Sequence, residues 1–326
     1  MFEKRYLASR LTATGLLLAA IAVAAVSAHS YLAMRDPAPH VDRVVPHAGF
    51  EKRRLSDWFD GLAGTPMDTD VYLQQGAEPG GTVLVLAEAV KLRIETHRQA
   101  RRNVAALVGA DPKEITWTSG ATESDNLAIF GAASYRADRG RHLVSMRTEH
   151  KAVTDPFTVL AKRGFEVSWV DPEPDGRLDP GALARALRDD TQLVSVMHVN
   201  NETGIVQDIA AIGALCRERG ILYHVDAAQS CGKLPIHLDE LPVDLMSMTA
   251  HKFYGPKGIG ALYITDRAGV HVDPQLFGGG QQRRLRPGTL PTQQIVGFGA
   301  TAAIAARCMA QDLEHLRALR DRLWSG

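Results

Sequence analysis

The sequence is poor in cysteine and has no excess of charge of either sign. Its three cysteines, Cys216, Cys231 and Cys308, are widely spaced and form no CxxC pair. Zinc sites and disulfide frameworks need paired cysteines, so neither is predicted, and we expect no bound metal and the thiols of a reducing compartment. Lysine plus arginine and aspartate plus glutamate number 37 each. This balance predicts no nucleic acid partner.

Nucleotide-binding motifs and internal repeats are missing as well. No Walker sequence and no GxGxxG motif precedes a predicted helix, so neither a nucleoside triphosphate nor a dinucleotide is predicted. The length of 326 residues, of which 45% are apolar, suffices for one large domain or two ordinary ones with a substantial core.

One long uncharged run stands near the N-terminus. Residues 11–28 carry no charge and follow a short basic segment. This pattern is typical of a secretory signal or a short membrane anchor, so residues 1–33 are predicted to be a signal- or anchor-like segment, with membrane anchoring or export as its consequence. An ordinary N-terminal helix or a fusion scar is the alternative. Residues 34–82, rich in Pro, Gly, Asp and Arg, are predicted to be an irregular linker.

Strand-like and helix-like segments alternate through residues 83–326. This alternation predicts an α/β domain with a mostly parallel sheet covered by helices on both faces. Ligands of such sheets bind beyond the carboxyl ends of the strands, so the polar residues that follow each strand are candidates for a site. The predicted strands are 114–118, 142–146, 165–170, 193–198, 221–225, 243–248 and 259–264, and the predicted helices are 83–108, 123–137, 150–162, 180–188, 209–219 and 293–324.

The first predicted strand runs into small and hydroxyl-bearing residues before a helix. Residues 118–122 read TSGAT, and backbone N–H groups in such a turn can point at an anion at the helix N-terminus. Ala121 and Thr122 are therefore candidate phosphate ligands. An ordinary helix cap is the alternative interpretation.

Further candidates follow the other strands. His150 can stack on an aromatic ring or exchange protons, although a structural histidine is the alternative. Asn201 can donate to a phenolic oxygen, or its segment can simply close a turn. Asp226 ends an apolar strand, where a carboxylate needs a positive partner such as a protonated pyridine nitrogen. Lys252 can form a Schiff base with an aldehyde, and Thr249 and His251 beside it can reach a phosphate. Most lysines are, however, surface charges.

Each of these features is weak alone, but together they describe one site. A phosphate cradle, a stacking ring, an aspartate for a pyridinium and a lysine for an aldehyde are what pyridoxal 5′-phosphate requires. The sequence therefore predicts this cofactor.

Six segments resemble the cysteine desulfurases, which are class V aminotransferase-like enzymes of fold type I. These segments are TSGATESDNLAI (118–129), TEHKAV (148–153), HVNNETGIVQ (198–207), HVDAAQSCGKLP (224–235), HKFYGPKGIGALY (251–263) and FGGGQQRRLRPGT (277–289). The resemblance runs from about residue 101 to residue 324. It implies the large domain of a fold type I transferase at 83–326 and an enzyme that converts L-cysteine to L-alanine with sulfur transfer for iron–sulfur cluster assembly. It also implies a cytoplasmic location.

The resemblance implies a role for each candidate. Lys252 would hold the cofactor covalently and act in catalysis with His150, which would also stack on the ring. Asp226 would face the pyridine nitrogen, and Asn201 and Gln229 the phenolic oxygen. Ala121, Thr122, Thr249 and His251 would bind the phosphate. Thr289 would reach the phosphate held by a second subunit, which implies a homodimer, and a scaffold or acceptor protein would receive the sulfur.

The family pattern is incomplete in this sequence. Relatives carry a catalytic cysteine on a Ser/Gly-rich loop of a small C-terminal domain, and we expect the chain to be truncated before that loop, with the small domain largely missing. None of the three cysteines is expected to replace it, because Cys216 and Cys308 are predicted to be helical and to pack as small apolar residues. Sulfur transfer is then expected to be impaired. Another class V activity, such as selenocysteine lyase or aminotransferase, and a non-catalytic truncated product are the alternatives.

Overall fold

The computed structural model describes residues 50–54, 70–74 and 82–325, with side chains from residue 95 onwards. The chain divides into two compact units, Met1–Ile94 and Glu95–Gly326. In the first unit β1 (Phe50–Arg54) pairs antiparallel with β2 (Asp70–Gln74). The predicted irregular linker over 34–82 thus contains two paired strands, and the pattern missed them because two strands of five residues give little periodic signal.

The uncharged run at 11–28 lies outside the described residues. Within the part that the structure describes, no helix is both long enough and apolar enough to cross a membrane.

The second unit alternates strands and helices, as predicted. It begins within α1 (Thr82–Leu107), and a short 3₁₀ turn, Pro112–Glu114, leads from α1 into the first strand of its sheet. The elements that follow in chain order are β3 (Ile115–Thr118), α2 (Ala121–Tyr135), β4 (His142–Met146), α3 (Lys151–Lys162), β5 (Glu166–Val170), α4 (Pro180–Ala186), β6 (Thr191–Ser195), α5 (Ile209–Glu218), β7 (Leu222–Asp226), β8 (Leu245–Thr249), β9 (Gly260–Ile264) and α6 (Thr292–Trp324).

Seven strands form one mostly parallel sheet in the order β3-β9-β8-β7-β6-β4-β5. The neighbours from β5 to β8 pair parallel, whereas β9 runs antiparallel to β8 and to β3. The strands with the same direction therefore end at one edge, which brings the loops after β3, β4, β6, β7 and β8 together.

Alternate side chains of these strands enter two apolar cores, one on each face of the sheet. On β7, Leu222 packs in the core that contains residues of α2 and α3, whereas Tyr223 and Val225 pack in the core that contains residues of α1, α5 and α6. This alternation follows from the period of two along a strand. The predicted sheet with helices on both faces is confirmed.

One strand boundary differs from the prediction. The apolar run suggested a strand over 193–198, but β6 ends at Ser195. Beyond it, the backbone N–H groups of Val196 and His198 still donate to β7 carbonyls, at 3.1 and 3.0 Å. The chain then turns away into a loop closed by a bridge between Val199 and Val206. Apolar residues thus continue past the strand because they remain buried at the sheet edge.

Gly260 brings the start of β9 against the turn before α2. A Cβ atom at Gly260 would lie 2.6 Å from both Gly120 Cα and the Met248 carbonyl oxygen. We expect Gly260→Ala to lower the free energy of unfolding by about 1–3 kcal/mol, because these backbone atoms have to move. Chemical denaturation measures this change. Gly280→Ala is the matched control, since a Cβ atom there meets no atom within 4 Å, and equal losses in the two variants would contradict the prediction.

Candidate functional site

A cleft of about 450 Å³ opens where the carboxyl ends of the parallel strands meet. It brings together residues from five loops that are far apart in the sequence. Nine of the ten candidate residues line it, namely Ala121, Thr122, His150, Asn201, Asp226, Gln229, Thr249, His251 and Lys252. Thr289 does not line the cleft and is exposed on the loop before α6.

The turn from β3 into α2 forms one wall of the cleft. Gly120 caps α2 without a side-chain hydrogen bond, and the first N–H groups of a helix have no partner within it. Glu123, in the first turn, bonds with Arg286 at 2.6 and 3.1 Å and accepts from the Ser119 N–H at 2.8 Å. Burial raises the pKa of Glu123, but the bonds from Arg286 and Ser119 outweigh it and lower the pKa. The carboxylate is thus paired, and the turn can receive an anion.

The end of β8 and the residues that follow it line the cleft beside this turn, since a Cβ atom at Gly120 would lie 3.8 Å from Thr249 Oγ1. The Thr249 hydroxyl lies 3.0 Å from His251 Nδ1. Burial, followed by the charges of Lys252 and Lys257, lowers the pKa of His251. Its imidazole is therefore neutral at neutral pH and can donate one N–H bond, while the neighbouring lysines supply positive charge. This donor set fits a phosphate facing the α2 turn.

Asp226 lies at the bottom of the cleft, at the end of β7. It is 4% exposed, and its Oδ1 accepts from the Ala228 N–H at 2.8 Å. Burial raises the pKa of Asp226, although the Ala228 bond and the charges of His150 and Lys252 oppose this rise. A buried carboxylate with one hydrogen bond is best stabilised by a cation. A pyridinium nitrogen would fit that requirement.

His150 precedes α3 and acts as its N-cap. The Ala152 N–H donates to His150 Nδ1 at 3.1 Å. In the neutral ring the proton therefore lies on Nε2. The ring is exposed in the cleft, where its face is available to an aromatic ligand.

A short 3₁₀ turn, Ala250–Phe253, carries Lys252 directly after β8. Phe253 is buried and packs on Phe298 of α6, with ring centroids 5.7 Å apart. The turn is closed by Tyr254, whose φ of 71° lies in the left-handed region, and by a hydrogen bond of 2.9 Å from the Gly255 N–H to the Ala250 carbonyl. The backbone of Lys252 is thus fixed on both sides, while its side chain is exposed to the cleft.

Two amide side chains complete the predicted set. Asn201 Nδ2 donates to Glu202 Oε1 at 2.8 Å, and Gln229 Oε1 accepts from Lys233 Nζ at 3.3 Å. Both amides line the cleft while bonded to neighbours on the same loop. A bound ligand would replace these hydrogen bonds or form additional ones with the same amide groups.

Three buried ionisable side chains beneath the cleft were not predicted. Asp125, Glu149 and His224 are 0%, 8% and 0% exposed, and Asp125 also lines the cleft. Asp125 lies on the apolar stripe of α2 with Ala128, Ile129 and Ala132, and a carboxylate at such a position was the signal that could have found it.

Two of the three cysteines are unsuited to nucleophilic chemistry. Cys216 on α5 and Cys231 after β7 are fully buried, and burial raises the pKa of each thiol to about 12. Cys308 is half-buried on α6. The described part of the chain also contains no group of three or more His, Cys, Asp or Glu residues that could hold a metal ion.

A family model and curated proteins both match this chain. Residues 80–325 match the family model for aminotransferase class-V. Cysteine desulfurase IscS of Escherichia coli K12 is 58% identical over 227 residues, which are 70% of this chain and 56% of the relative. The chain thus spans little more than half the length of this curated relative.

Solved structures share the fold over similar lengths. The crystal structure of DndA from Streptomyces lividans has a TM-score of 0.70 and 42% identity, covering 73% of this chain and 68% of that one. SspA in complex with cysteine has a TM-score of 0.64 and 42% identity, covering 66% and 62% of the two chains.

Proposed function

The chain belongs to the aminotransferase class-V family, and from this premise we propose that it is a pyridoxal 5′-phosphate-dependent cysteine desulfurase. The observation that carries the proposal is the convergence of Lys252, Asp226 and the α2 turn in one cleft. Enzymes of this family use pyridoxal 5′-phosphate. Similarity to cysteine desulfurase IscS and to SspA, solved with cysteine, favours L-cysteine as the substrate.

The cleft provides a residue for each part of the cofactor. The α2 turn with Ala121 and Thr122 and the pair of Thr249 and His251 would hold the phosphate. His150 would stack on the ring and Lys252 would bind covalently. Asp226 would hold the pyridinium, and Asn201 and Gln229 would donate to the phenolic oxygen. The pairing of Glu123 with Arg286 supports the first assignment, because a paired carboxylate repels a phosphate less than a free one does.

Different residues of the cleft would also take different parts in the reaction. The bound cofactor supplies an electron sink for the bonds at the substrate Cα. Asp226 would stabilise the positive charge on the pyridine nitrogen that this sink requires. Lys252 Nζ would act as the base that removes the Cα proton of the substrate and returns protons to carbon. His150, which lines the cleft, would be able to exchange a proton with the substrate.

A thiol must accept the sulfur for the reaction to balance. One L-cysteine and one thiol then give one L-alanine and one persulfide. The buried Cys216 and Cys231 do not serve, because thiols with a pKa of about 12 are protonated at neutral pH. We propose that a scaffold or acceptor protein of iron–sulfur cluster assembly takes the sulfur onward. We also propose that the chain acts as a homodimer in which Thr289 reaches the partner's phosphate.

The reaction can be tested with dithiothreitol, which supplies both a thiol and the two electrons that release sulfide. The chain, loaded with cofactor and given L-cysteine and dithiothreitol, is expected to form alanine and sulfide in equal amounts. Amino-acid analysis and a colorimetric sulfide assay measure the two products. Turnover is expected to be slow, because neither buried thiol can relay sulfur within the chain.

Three results would contradict this proposal. A keto acid in place of alanine would indicate an aminotransferase. Turnover of selenocysteine but not of cysteine would indicate a selenocysteine lyase. The absence of any product, together with unchanged cofactor absorbance on addition of cysteine, would indicate a non-catalytic protein.

A further inference from the structure

Asp125 is a buried carboxyl group that the proposed mechanism does not use. It lies one turn into α2, directly after the turn assigned to the phosphate, and is 0% exposed. It nevertheless lines the same cleft as Asp226 and Lys252. Among the described residues, both of its carboxylate oxygens lack a hydrogen-bond partner. A buried ionised carboxylate without partners is costly, so this side chain needs an explanation.

The histidine beside Asp125 offers no positive charge. His224 Nε2 lies 3.5 Å from Asp125 Oδ1. The His224 ring is already held by hydroxyls on both sides, Ser195 Oγ at 2.8 Å and Ser247 Oγ at 2.9 Å. Burial lowers the pKa of His224 to about 3. The imidazole is therefore neutral and does not balance a charge on Asp125.

The other ionisable groups that act on Asp125 are acids. Burial, followed by the charges of Asp226 and Glu149, raises the pKa of Asp125 well above its usual range, and only the Ser247 hydroxyl on β8 opposes this rise. That hydroxyl already bonds with His224, so it provides little to Asp125. Glu149 is itself buried, and burial raises its pKa as well, against one bond of 2.7 Å from the Met197 N–H.

Asp226 differs from Asp125 in its partners. It accepts the Ala228 N–H, and the charges of His150 and Lys252 favour its ionised form. Two neighbouring buried carboxyl groups do not both ionise readily. The negative charge of the pair therefore belongs to Asp226, whose carboxylate has a hydrogen-bond donor and positive charges nearby.

We propose that Asp125 is a neutral carboxylic acid that acts as a positioning residue, holding the proton of the pair so that the negative charge lies on Asp226. The proposal rests on the proposed function in one respect, namely that Asp226 faces the pyridinium. The neutral acid fills the volume beneath the cleft without adding a second charge. The ring nitrogen would then meet one defined carboxylate, while Asp125 lies beside a neutral imidazole, His224, that is bonded to Ser195 and Ser247.

Infrared spectroscopy of the protein without cofactor tests the protonation directly. A protonated carboxyl group gives a carbonyl stretching band that shifts in D₂O and is distinct from carboxylate bands. The difference spectrum of the unsubstituted protein minus Asp125→Asn is expected to contain this band at pH 7. Glu149→Gln is the matched control, since it removes a second buried acid at a different position. Carboxylate bands in the Asp125→Asn difference would overturn the proposal.

A second measurement uses the amide as a mimic of the neutral acid. Asp125→Asn is expected to bind pyridoxal 5′-phosphate within about threefold of the unsubstituted protein, since no charge is lost. Loss of affinity by tenfold or more in a folded variant would mean that the Asp125 charge matters and would overturn the proposal. If Asp125→Asn does not fold, the smaller Asp125→Ser takes its place in both measurements. The infrared result needs no cofactor, so it stands or fails separately from the assignment of the enzyme.

Discussion

Lys252→Ala is expected to abolish the visible absorbance of covalently bound cofactor and to lower alanine formation by about 10²- to 10⁴-fold. Lys252 is exposed to the cleft on a turn fixed by the buried Phe253, so its amine can reach a ring held between the α2 turn and Asp226. In the proposed mechanism the same amine moves the substrate proton, and loss of a general base removes about that factor. Absorbance spectra of the reconstituted protein and the alanine assay measure the two effects.

Two control variants separate loss of the covalent bond to the cofactor from loss of the positive charge of Lys252. Lys252→Arg keeps the positive charge but cannot form the covalent link, so it is expected to lose the absorbance band as Lys252→Ala does. Lys257→Ala removes the other lysine that lines the cleft and is expected to retain the band. Retention of the band in Lys252→Ala together with its loss in Lys257→Ala would show that Lys257, and not Lys252, forms the covalent bond.

The fold of residues 83–326 could be predicted from the sequence because most of its elements are long or strongly patterned. β4 begins and ends at the predicted residues. α3 ends at the predicted residue, Lys162, because its buried apolar residues extend to Leu160 and Gly164 follows the helix. The short strands β1 and β2 were missed, because five-residue segments with mixed charge have no clear period. Strand β6 was placed too far along the chain because burial at the sheet edge continues beyond the strand.

Most of the candidate site could be predicted as well, because parallel strands bring the residues after them to one edge. That rule places His150, Asn201, Asp226 and Lys252 together without any knowledge of distances. The rule says nothing of side chains within an element, whether they line the cleft, as Asp125 does, or lie behind it against Asp125, as His224 does. Asp125 on α2 and His224 on β7 were therefore missed, although each interrupts an apolar pattern.

Asp226→Asn is expected to weaken binding of pyridoxal 5′-phosphate by about 10- to 150-fold, which corresponds to the about 1.5–3 kcal/mol of a hydrogen bond to a charged group. The amide keeps the shape of the carboxylate but cannot balance a pyridinium. Titration of the protein with the cofactor, followed by absorbance or fluorescence, measures the dissociation constant. An unchanged constant would contradict the placement of the ring nitrogen at Asp226.

The same substitution is expected to leave the cofactor-free protein as stable as before, or more stable at high pH. Burial raises the pKa of Asp226 in the folded state, so between the unfolded pKa of about 4 and the raised value the folded state binds more protons. The free energy of unfolding therefore falls as the pH rises through this window. Asp226→Asn removes that contribution, which denaturation at a series of pH values measures.

Asp244→Asn is the matched control, because Asp244 is also buried but is paired with Arg267 at 2.5 Å and accepts the Tyr223 N–H at 3.0 Å. Losing these bonds is expected to lower the free energy of unfolding by about 1–3 kcal/mol. The two substitutions then have opposite effects on the free energy of unfolding. Asp244 stabilises the fold through its pairing, whereas ionised Asp226 destabilises it as long as no cation is bound. Such a cost is typical of a residue retained for binding. An equal loss of stability in both cofactor-free variants would show that Asp226 is structural and would remove the main support for its role.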